Sequence, residues 1–148
     1  LEQLGLQSAT ATGDLTRRDS GPAGLFQKIL LDAPCSGTGT MGRRPEIRWR
    51  LTPNQVRSLI RTQTALLDAV STRLAPGGIL VYAVCSLLPE EGTDQAARFL
   101  ATHPEFRPRR EQPVDWPAGL PWSDGLMVID PATHHTDGYQ IAVLERAG

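Results

Sequence analysis

Two cysteines, each close to the end of an apolar run, are the residues of this sequence best suited to covalent chemistry. Cys35 lies in the run D-A-P-C-S-G-T-G and Cys85 in the run V-Y-A-V-C-S. Cys85 comes shortly before a predicted helix, and the partial positive charge at a helix amino end favours the thiolate, which is the nucleophilic form of cysteine. The alternative is that both are small, unreactive, buried side chains, as many free cysteines are. The contexts of the pair favour thiol chemistry.

Basic residues are concentrated in one stretch. The chain as a whole has 15 basic and 16 acidic residues and a net charge of −1, so it offers nucleic acid no attractive overall field. Residues 43–61, however, hold a single acidic residue and six arginines: Arg43, Arg44, Arg48, Arg50, Arg57 and Arg61. The stretch is either a contact surface for phosphates or a solvated face of the protein.

Two apolar runs predict the strands that position the cysteines. Residues 28–32 and 79–84 are typical of buried strands in a parallel sheet. Between them, the run T-P-N-Q from residue 52 is the capping-box and first-turn proline signature of a helix. An apolar repeat at helical spacing predicts that this helix spans about 53–74, where the run P-G-G ends it.

The other predicted elements complete an alternation of strands and helices. They are a weak strand at residues 8–12, a loop at 34–42, a helix from 89 to about 104, a loop at 105–124 and two strands at 126–129 and 139–144. This order predicts an α/β fold with a mostly parallel sheet and an antiparallel edge strand. Such sheets bind ligands beyond the carboxyl ends of their strands, so both sulfurs are expected at one edge.

Residues 37–42 match the pattern G-x-G-x-x-G after a predicted strand, which is typical of dinucleotide-binding sites. That function requires a helix that begins within the glycines. Here the run R-R-P interrupts, and no helix is signalled before Thr52. We therefore expect no dinucleotide site, and expect the glycines to allow a sharp turn or a close approach of the backbone to a flat ligand.

Composition excludes several classes of protein. The 148 residues are 40% hydrophobic and 21% charged, as in ordinary globular domains. No apolar run approaches the roughly 18 to 20 residues of a membrane span, and the amino end does not resemble a secretory signal. Two distant cysteines do not form a secreted disulfide framework, and the three histidines lack a third ligand at metal spacing. We expect a cytoplasmic protein with free thiols, no membrane segment and no metal.

Several motifs together carry a family resemblance. In chain order they are D-A-P-C-S-G-T-G (32–39), R-P-E-I-R-W (44–49), L-A-P-G-G-I-L-V-Y (74–82), C-S (85–86), P-E-E (89–91) and D-G-Y (137–139). They resemble the Nop/Sun family of S-adenosylmethionine-dependent RNA cytosine-5 methyltransferases, which includes bacterial small-subunit rRNA enzymes. The resemblance implies a Rossmann-like class I methyltransferase fold, incomplete at its amino end. Residues 1–148 would be the C-terminal part of one catalytic domain.

The resemblance also implies roles for individual residues. Cys85 would attack C6 of the cytosine, so that C5 accepts the methyl group, and Cys35 would assist release of the product. Asp32 would lie near the methyl donor, S-adenosylmethionine, and near the target base. Asp14 would bind the adenine edge of the donor, with a simple turn residue as the alternative.

RNA, and ribosomal RNA in the first place, is the implied substrate. By the same resemblance Pro34 would orient the backbone beside the target base, and phosphate contacts would come from Arg43, Arg44 and Arg48. Trp49 would either stack on a base or pack in the core. An enzyme of this kind needs its target base unpaired or flipped out of the stack.

The sequence departs from the family pattern in ways that leave a second function open. Val84 stands where the family has Thr, Gln27 where Asp is common and Gly92 where Asn is frequent. The family's donor loop, D-x-C-A-A-P-G-G-K-T, is absent from the 148 residues. We expect that the donor-binding N-terminal half is not present, and that this chain alone binds the donor weakly and does not turn over. The alternative function is a non-catalytic RNA-binding or interaction fragment; thiol hydrolysis or redox work lacks a C-x-x-C motif.

Overall fold

The computed structural model describes residue 5, residues 8–17 and residues 20–148. Its helices are α1 (Ile47–Arg50), α2 (Pro53–Ser71), α3 (Thr93–Thr102) and α4 (Pro131–His134), and its strands are β1 (Phe26–Asp32), β2 (Leu74–Val84), β3 (Phe106–Pro108), β4 (Leu126–Ile129) and β5 (Tyr139–Arg146). Short 3-10 turns cover Thr38–Thr40 and Pro89–Glu91. None of the helices in the described residues has the length and apolar character of a membrane span.

One mixed sheet forms the centre of the fold. β1 pairs with β2 in parallel, and β5 pairs antiparallel with β2 on one side and with β3 and β4 on the other. The α/β class is therefore confirmed, but the expected mostly parallel sheet with an antiparallel edge strand needs correction. In the described residues β1–β2 is the one parallel pairing, and the antiparallel strand β5 is internal. The connection from β4 to β5 is short, and short connections join antiparallel strands.

The predicted helix from residue 53 is confirmed, with an earlier end. Thr52 and Gln55 form the capping box, with Gln55 N–H donating to Thr52 Oγ1 at 3.3 Å and Thr52 N–H to Gln55 Oε1 at 2.9 Å. α2 ends at Ser71 because Leu74 already belongs to β2. The run P-G-G lies inside this strand as a bulge, where a Cβ on Gly78 would lie 2.8 Å from the Ala75 carbonyl oxygen.

Three other boundaries differ from the prediction. Residues 8–12 form no strand, so that prediction is wrong; a run this short is stable as a strand only beside a partner, and no described strand pairs with it. The predicted helix from residue 89 begins as a 3-10 turn, and α3 proper starts at Thr93. The predicted loop at 105–124 contains the short strand β3, whose pairing partner β5 is more than thirty residues away.

The core lies between the sheet and the pair α2 and α3. These two helices pack against each other, and α2 also packs against β2. The fully buried members of the core include Leu67 of α2, Leu74 and Leu80 of β2 and Leu144 of β5. Cys35, just beyond β1, packs against the edge of this core. The rigid centre of the fold thus reaches the segments that hold the cysteines.

Candidate active site

The two thiols meet at one edge of the sheet, as expected. Cys35 Sγ and Cys85 Sγ are 3.4 Å apart, and both cysteines are free. The parallel register that pairs Asp32 with Ala83 brings the chain to the same edge at the end of both strands. The Gly39 N–H then donates to the Cys85 carbonyl at 3.1 Å and holds the two following loops together. Both side chains keep partial exposure, so a ligand can reach them.

Burial changes the acid–base behaviour of one of the two thiols. Burial, and next the hydrogen bond with Cys85, raise the pKa of Cys35 to about 12. Cys35 is therefore protonated at neutral pH, and its S–H can donate to the Cys85 sulfur. A hydrogen bond donated to that sulfur stabilises negative charge on it. The geometry thus separates the pair into a proton-bearing member, Cys35, and a partner that it can assist.

A buried hydrogen-bonded cluster lies beneath the thiols, and sequence analysis missed it. We call it the thiol floor: Ser36, Thr38, Ser86 and Glu91. Glu91 is 0% exposed, and its carboxylate accepts hydrogen bonds from Ser36 N–H at 2.9 Å and from Ser86 Oγ at 2.6 Å. Thr38 Oγ1 lies 3.1 Å from Ser86 Oγ. The available signals were that a serine directly follows each cysteine and that Glu91 lies in the motif P-E-E.

The two predicted donor-binding carboxylates occupy different settings. Asp32 ends β1 and is exposed at the edge where the thiols lie. Asp14 lies in a turn, where its Oδ1 accepts from Thr16 N–H at 3.0 Å and from Thr16 Oγ1 at 2.6 Å. These bonds from Thr16 lower the pKa of Asp14. Asp14 thus has the hydrogen bonds of a turn residue, and its contact with the donor stays a prediction.

Tyr139 is a further residue of this edge, at the start of β5. Burial raises the pKa of its phenol, and charge on Cys85 and on Asp32 adds to the effect, which places the ring near both groups. Asp137, two residues earlier, forms an ion pair with Arg43. The motif D-G-Y thus connects the thiol edge with the basic stretch, a link that its position far along the chain conceals.

The predicted phosphate-binding residues lie together in the segment before and within α1. Arg43 is held by Asp137, with Nε donating to Oδ1 at 3.1 Å, and Arg44 pairs with Glu46 at 3.4 Å. Arg48 is exposed on α1, and Pro34 is exposed beside the thiols. We call residues 43–50 the arginine segment. It presents a basic surface next to the thiol edge.

Of the two alternatives for Trp49, packing in the core is wrong, because its side chain is 81% exposed. Next to it, between α1 and α2, lies a cavity of about 400 Å³ that begins at Cys35 and Ser36. Its lining combines apolar side chains such as Ile47 and Leu59 with the charged Arg44, Glu46 and Arg50. A cavity with apolar and cationic side chains suits a base and its phosphate.

The glycine run makes a turn and a close backbone contact. Gly37 has φ 72°, in the left-handed region that favours glycine, and Thr38–Thr40 is a 3-10 turn. A Cβ on Gly39 would overlap the carbonyl group of Gly138, whose N–H donates to the Gly39 carbonyl at 2.8 Å. The close approach is thus to another backbone segment. No α-helix begins within the glycines; the next one, α1, starts at Ile47, earlier than the Thr52 that the sequence indicated.

Among the described residues, no group of three or more His, Cys, Asp or Glu side chains is arranged to hold a metal ion. Within the same residues every buried side-chain nitrogen and oxygen has a hydrogen-bond partner.

Comparison with solved structures defines the class of this fold. The crystal structure of PH0851 matches with a TM-score of 0.71 and 38% identity over 81% of this chain and 26% of that chain. NSun6 from Pyrococcus horikoshii with SFG matches with a TM-score of 0.65 and 28% identity, over 81% and 30% of the two chains. A methyltransferase homolog protein from Pyrococcus horikoshii matches with a TM-score of 0.65 and 30% identity, over 83% and 40%. The fold is the Rossmann-like fold of class I methyltransferases.

Sequence comparison then identifies the family. The family described as "16S rRNA methyltransferase RsmB/F" matches residues 1–145, and this chain belongs to it. The probable ribosomal RNA small subunit methyltransferase B of Synechocystis is 41% identical over 152 residues, which cover 99% of this chain and 33% of the relative. The ribosomal RNA small subunit methyltransferase B of Thermus thermophilus is 42% identical over 144 residues, or 97% and 34%. The chain spans about a third of the length of these relatives.

Proposed function

We propose that this chain supplies the catalytic thiols of an enzyme that transfers a methyl group from S-adenosylmethionine to C5 of a cytosine in RNA, with ribosomal RNA as substrate. The observation that carries the proposal is the 3.4 Å separation of Cys35 Sγ and Cys85 Sγ at an accessible edge of the sheet. The reaction requires both thiols in reduced form, which fits a cytoplasmic site of action. Membership of a 16S rRNA methyltransferase family supports the substrate class.

In this proposal Cys85 is the nucleophile. C5 of cytosine is a poor nucleophile until a group adds to C6. The Cys85 thiolate forms a bond to C6, and the electron pair displaced from the C5–C6 double bond makes C5 able to accept the methyl group. Cys35 supports the first step, because its S–H lies at hydrogen-bond distance from the attacking sulfur.

Cys35 assists the second step, the release of product. The C5 proton leaves to a base, the C5–C6 double bond forms again, and the C6–S bond breaks to return the Cys85 thiolate. Because its raised pKa keeps Cys35 protonated, its S–H can donate to the Cys85 sulfur, directly or through water, and stabilise the thiolate as the C6–S bond breaks. Water at this exposed edge then takes the C5 proton.

Two carboxylates are suited to the methyl donor, which supplies a methyl group on a positively charged sulfur. Asp32 is exposed at the thiol edge, and a carboxylate there attracts positive charge. Asp14 uses Oδ1 for its turn, so its other oxygen can accept from an adenine amino group. The solved neighbour NSun6 from Pyrococcus horikoshii contains SFG, an S-adenosylmethionine analogue. Because the 148 residues lack the donor loop of the family, we expect this chain alone to bind the donor weakly, which isothermal titration calorimetry tests.

The arginine segment and the adjacent cavity suit the RNA strand. Arg44 and Arg48 lie on the exposed side of the segment, next to the thiols, where they can contact phosphates. Trp49 offers an exposed ring on which an unpaired base can stack. Because the cavity reaches Cys35, a strand bound along the segment leads to the thiol pair.

The test is covalent trapping on RNA that contains 5-azacytidine. To supply the donor loop, the preceding part of the Thermus thermophilus relative is fused to this chain. We expect a covalent RNA–protein adduct in the fusion protein and none in its Cys85→Ala variant. In the Cys35→Ala variant we expect the opposite defect on ordinary RNA, a stalled adduct that accumulates in the presence of the donor. An adduct retained in Cys85→Ala would assign the nucleophile to another residue and overturn the proposal.

The arginine segment also fits a second candidate, a non-catalytic RNA-binding fragment. Its cationic side chains can contact phosphates without any methyl transfer. This candidate predicts RNA binding by the chain and no adduct in the fusion protein. The catalytic proposal predicts the adduct, so the same trapping experiment separates the two.

A further inference from the structure

A single buried carboxylate connects the two cysteine-bearing loops. Its Oε1 accepts from the backbone N–H of Ser36 at 2.9 Å, and its Oε2 accepts from the hydroxyl of Ser86 at 2.6 Å. Ser36 and Ser86 are the residues directly after Cys35 and Cys85. This carboxylate belongs to Glu91. Glu91 therefore binds the residue that directly follows each of the two cysteines.

The surroundings of Glu91 restrict its position. Gln63 Nε2 of α2 donates both to Glu91 Oε1 at 3.1 Å and to the Pro34 carbonyl at 2.9 Å, so α2 joins the same cluster. Tyr82 of β2 donates its hydroxyl to the backbone carbonyl of Glu91. The side chain is thus fixed from a helix, from a strand and from both loops.

Burial of a carboxyl group has a large desolvation cost, and apolar residues of similar size are often as stabilising or more so. Global stability alone therefore does not account for Glu91. Its hydrogen bonds instead have a shared geometric result, because each of the two thiol-bearing loops is tied to one rigid acceptor. Fully satisfied buried networks of this kind fix one arrangement of the groups that they join.

We infer that Glu91 is a positioning residue that sets the separation of the Cys35 and Cys85 sulfurs. Without the carboxylate, Ser36 N–H and Ser86 Oγ lose a common acceptor, and the separation of the two sulfurs is less restricted. The Ser36–Ser86 hydroxyl contact at 3.1 Å and the hydrogen bonds of Gly39 and Thr38 still join the loops, so the expected change is local to the thiols. The meaning of this role for methyl transfer rests on the proposed function, but the geometric role does not.

The equilibrium between the thiol pair and a disulfide measures how closely the fold holds the two sulfurs. In a glutathione buffer, the two protein thiols and one oxidised glutathione give one protein disulfide and two reduced glutathiones. The protein thiols are oxidised, the glutathione disulfide is reduced, and the two protons pass to the released glutathiones. The equilibrium constant rises with the effective concentration of one sulfur beside the other. The measurement uses the 148-residue chain and needs neither RNA nor donor.

We expect Glu91→Ala to lower this constant by about tenfold or more, the scale of one lost charge-assisted hydrogen bond. Glu91→Gln, which keeps one acceptor oxygen, is expected to restore part of the loss. Ser86→Ala removes the hydrogen bond on the Cys85 side alone. Its equilibrium constant is expected to lie between those of Glu91→Gln and the original chain. If Glu91→Ala does not fold, the latter two variants carry the test.

Tyr82→Phe is the matched control. It removes a buried hydrogen bond to the backbone of Glu91 but leaves the carboxylate contacts intact. We expect it to lower the melting temperature without changing the glutathione equilibrium. Folded Glu91→Gln and Ser86→Ala variants with the constant of the original chain would overturn the inference. Failure of the azacytidine trap would overturn the proposed function and leave this inference standing, so the two failures are distinguishable.

Discussion

The thiol floor and the arginine segment border the same cavity and are opposites in their physical setting. In the floor, Glu91 and Ser86 are wholly buried and share hydrogen bonds with each other. In the segment, Arg48 and Trp49 are exposed, and the ion pair of Arg44 with Glu46 lies at the surface. Hydrogen bonds are strong and geometrically restrictive in the interior, whereas surface ion pairs contribute little to stability. The difference shows that the geometry of the thiols and the contact with a ligand are built separately.

Substitutions in the thiol floor and in the arginine segment should therefore have different effects. A change in the thiol floor should alter the stability of the fold and the relation of the two sulfurs. A change in the arginine segment should alter binding and leave the fold intact. A thiol-floor variant that changes binding, or an arginine-segment variant that changes stability, would show that the two regions are coupled.

The largest effect is expected from removal of the carboxylate in the floor. Glu91→Ala removes the acceptor that Ser36 N–H, Ser86 Oγ and Gln63 Nε2 share, and we expect the free energy of unfolding to fall by about 3 to 5 kcal/mol. The exposed neighbour Glu90 provides the control, since Glu90→Ala should change the free energy of unfolding by no more than about 0.5 kcal/mol. Urea denaturation measures both. Equal effects of the two substitutions would remove the distinction between buried and exposed carboxylates.

A smaller loss is expected from the glycine turn that joins the floor to β5. Gly39→Ala places a methyl group against the backbone of Gly138, and we expect about 2 kcal/mol of destabilisation from overpacking. Gly42 has open space at its Cβ position, so Gly42→Ala should be close to neutral. Thermal unfolding of the two variants checks the difference. If Gly39→Ala leaves stability unchanged, the turn shifts easily to accommodate the methyl group, and the thiol floor is less rigid than its contacts indicate.

The same contrast explains what the sequence predicts well. β1, β2 and α2 are local patterns: apolar runs, a helical repeat and a capping box lie within each element. The convergence of Cys35 and Cys85 followed from one topological rule about parallel strands, and the structure confirms it. These features need no knowledge of distant partners.

Other features depend on contacts between distant segments and escaped prediction. Glu90 and Glu91 are adjacent identical residues, yet only Glu91 is buried, because its acceptor oxygens meet Ser36 from 55 positions away. The internal position of β5 likewise depends on its pairing with β2 on one side and β3 on the other. Sequence periodicity is the same for an edge strand and for an internal one when both faces are partly covered.

In the arginine segment, Trp49→Ala should weaken binding of single-stranded RNA by about 1 to 2 kcal/mol, the range of one lost base-stacking contact. Because the ring is 81% exposed, the free energy of unfolding should stay within about 0.5 kcal/mol. Val114→Ala removes another exposed apolar side chain and should leave RNA binding unchanged. Fluorescence anisotropy with a labelled oligonucleotide measures the affinities. Unaltered binding in Trp49→Ala would withdraw Trp49 from the proposed RNA surface.

The smallest effect is expected from alkaline pH, and it should involve the thiol region alone. The pKa of Cys35 is raised from its ordinary value near 9 to about 12, mainly by burial, so the folded chain keeps this proton at pH values where the unfolded chain has lost it. The unfolded state then binds fewer protons, and the free energy of unfolding falls as the pH rises from about 9 towards 12. The contribution of Cys35 is complete below pH 9. Cys35→Ala lacks this group and should lose stability less steeply between about pH 8 and pH 10.5.

Cys85→Ala and Trp49→Ala sharpen this last measurement. Cys85→Ala removes the second cause of the raised pKa but leaves burial, so its pH dependence should lie between those of the original chain and Cys35→Ala. Trp49→Ala, in the exposed segment, should follow the original chain. Urea midpoints at the two pH values provide the comparison. Parallel curves for Cys35→Ala and the original chain would mean that the Cys35 thiol titrates as it does in water, and the assignment of Cys35 as the proton-bearing member of the pair would then be wrong.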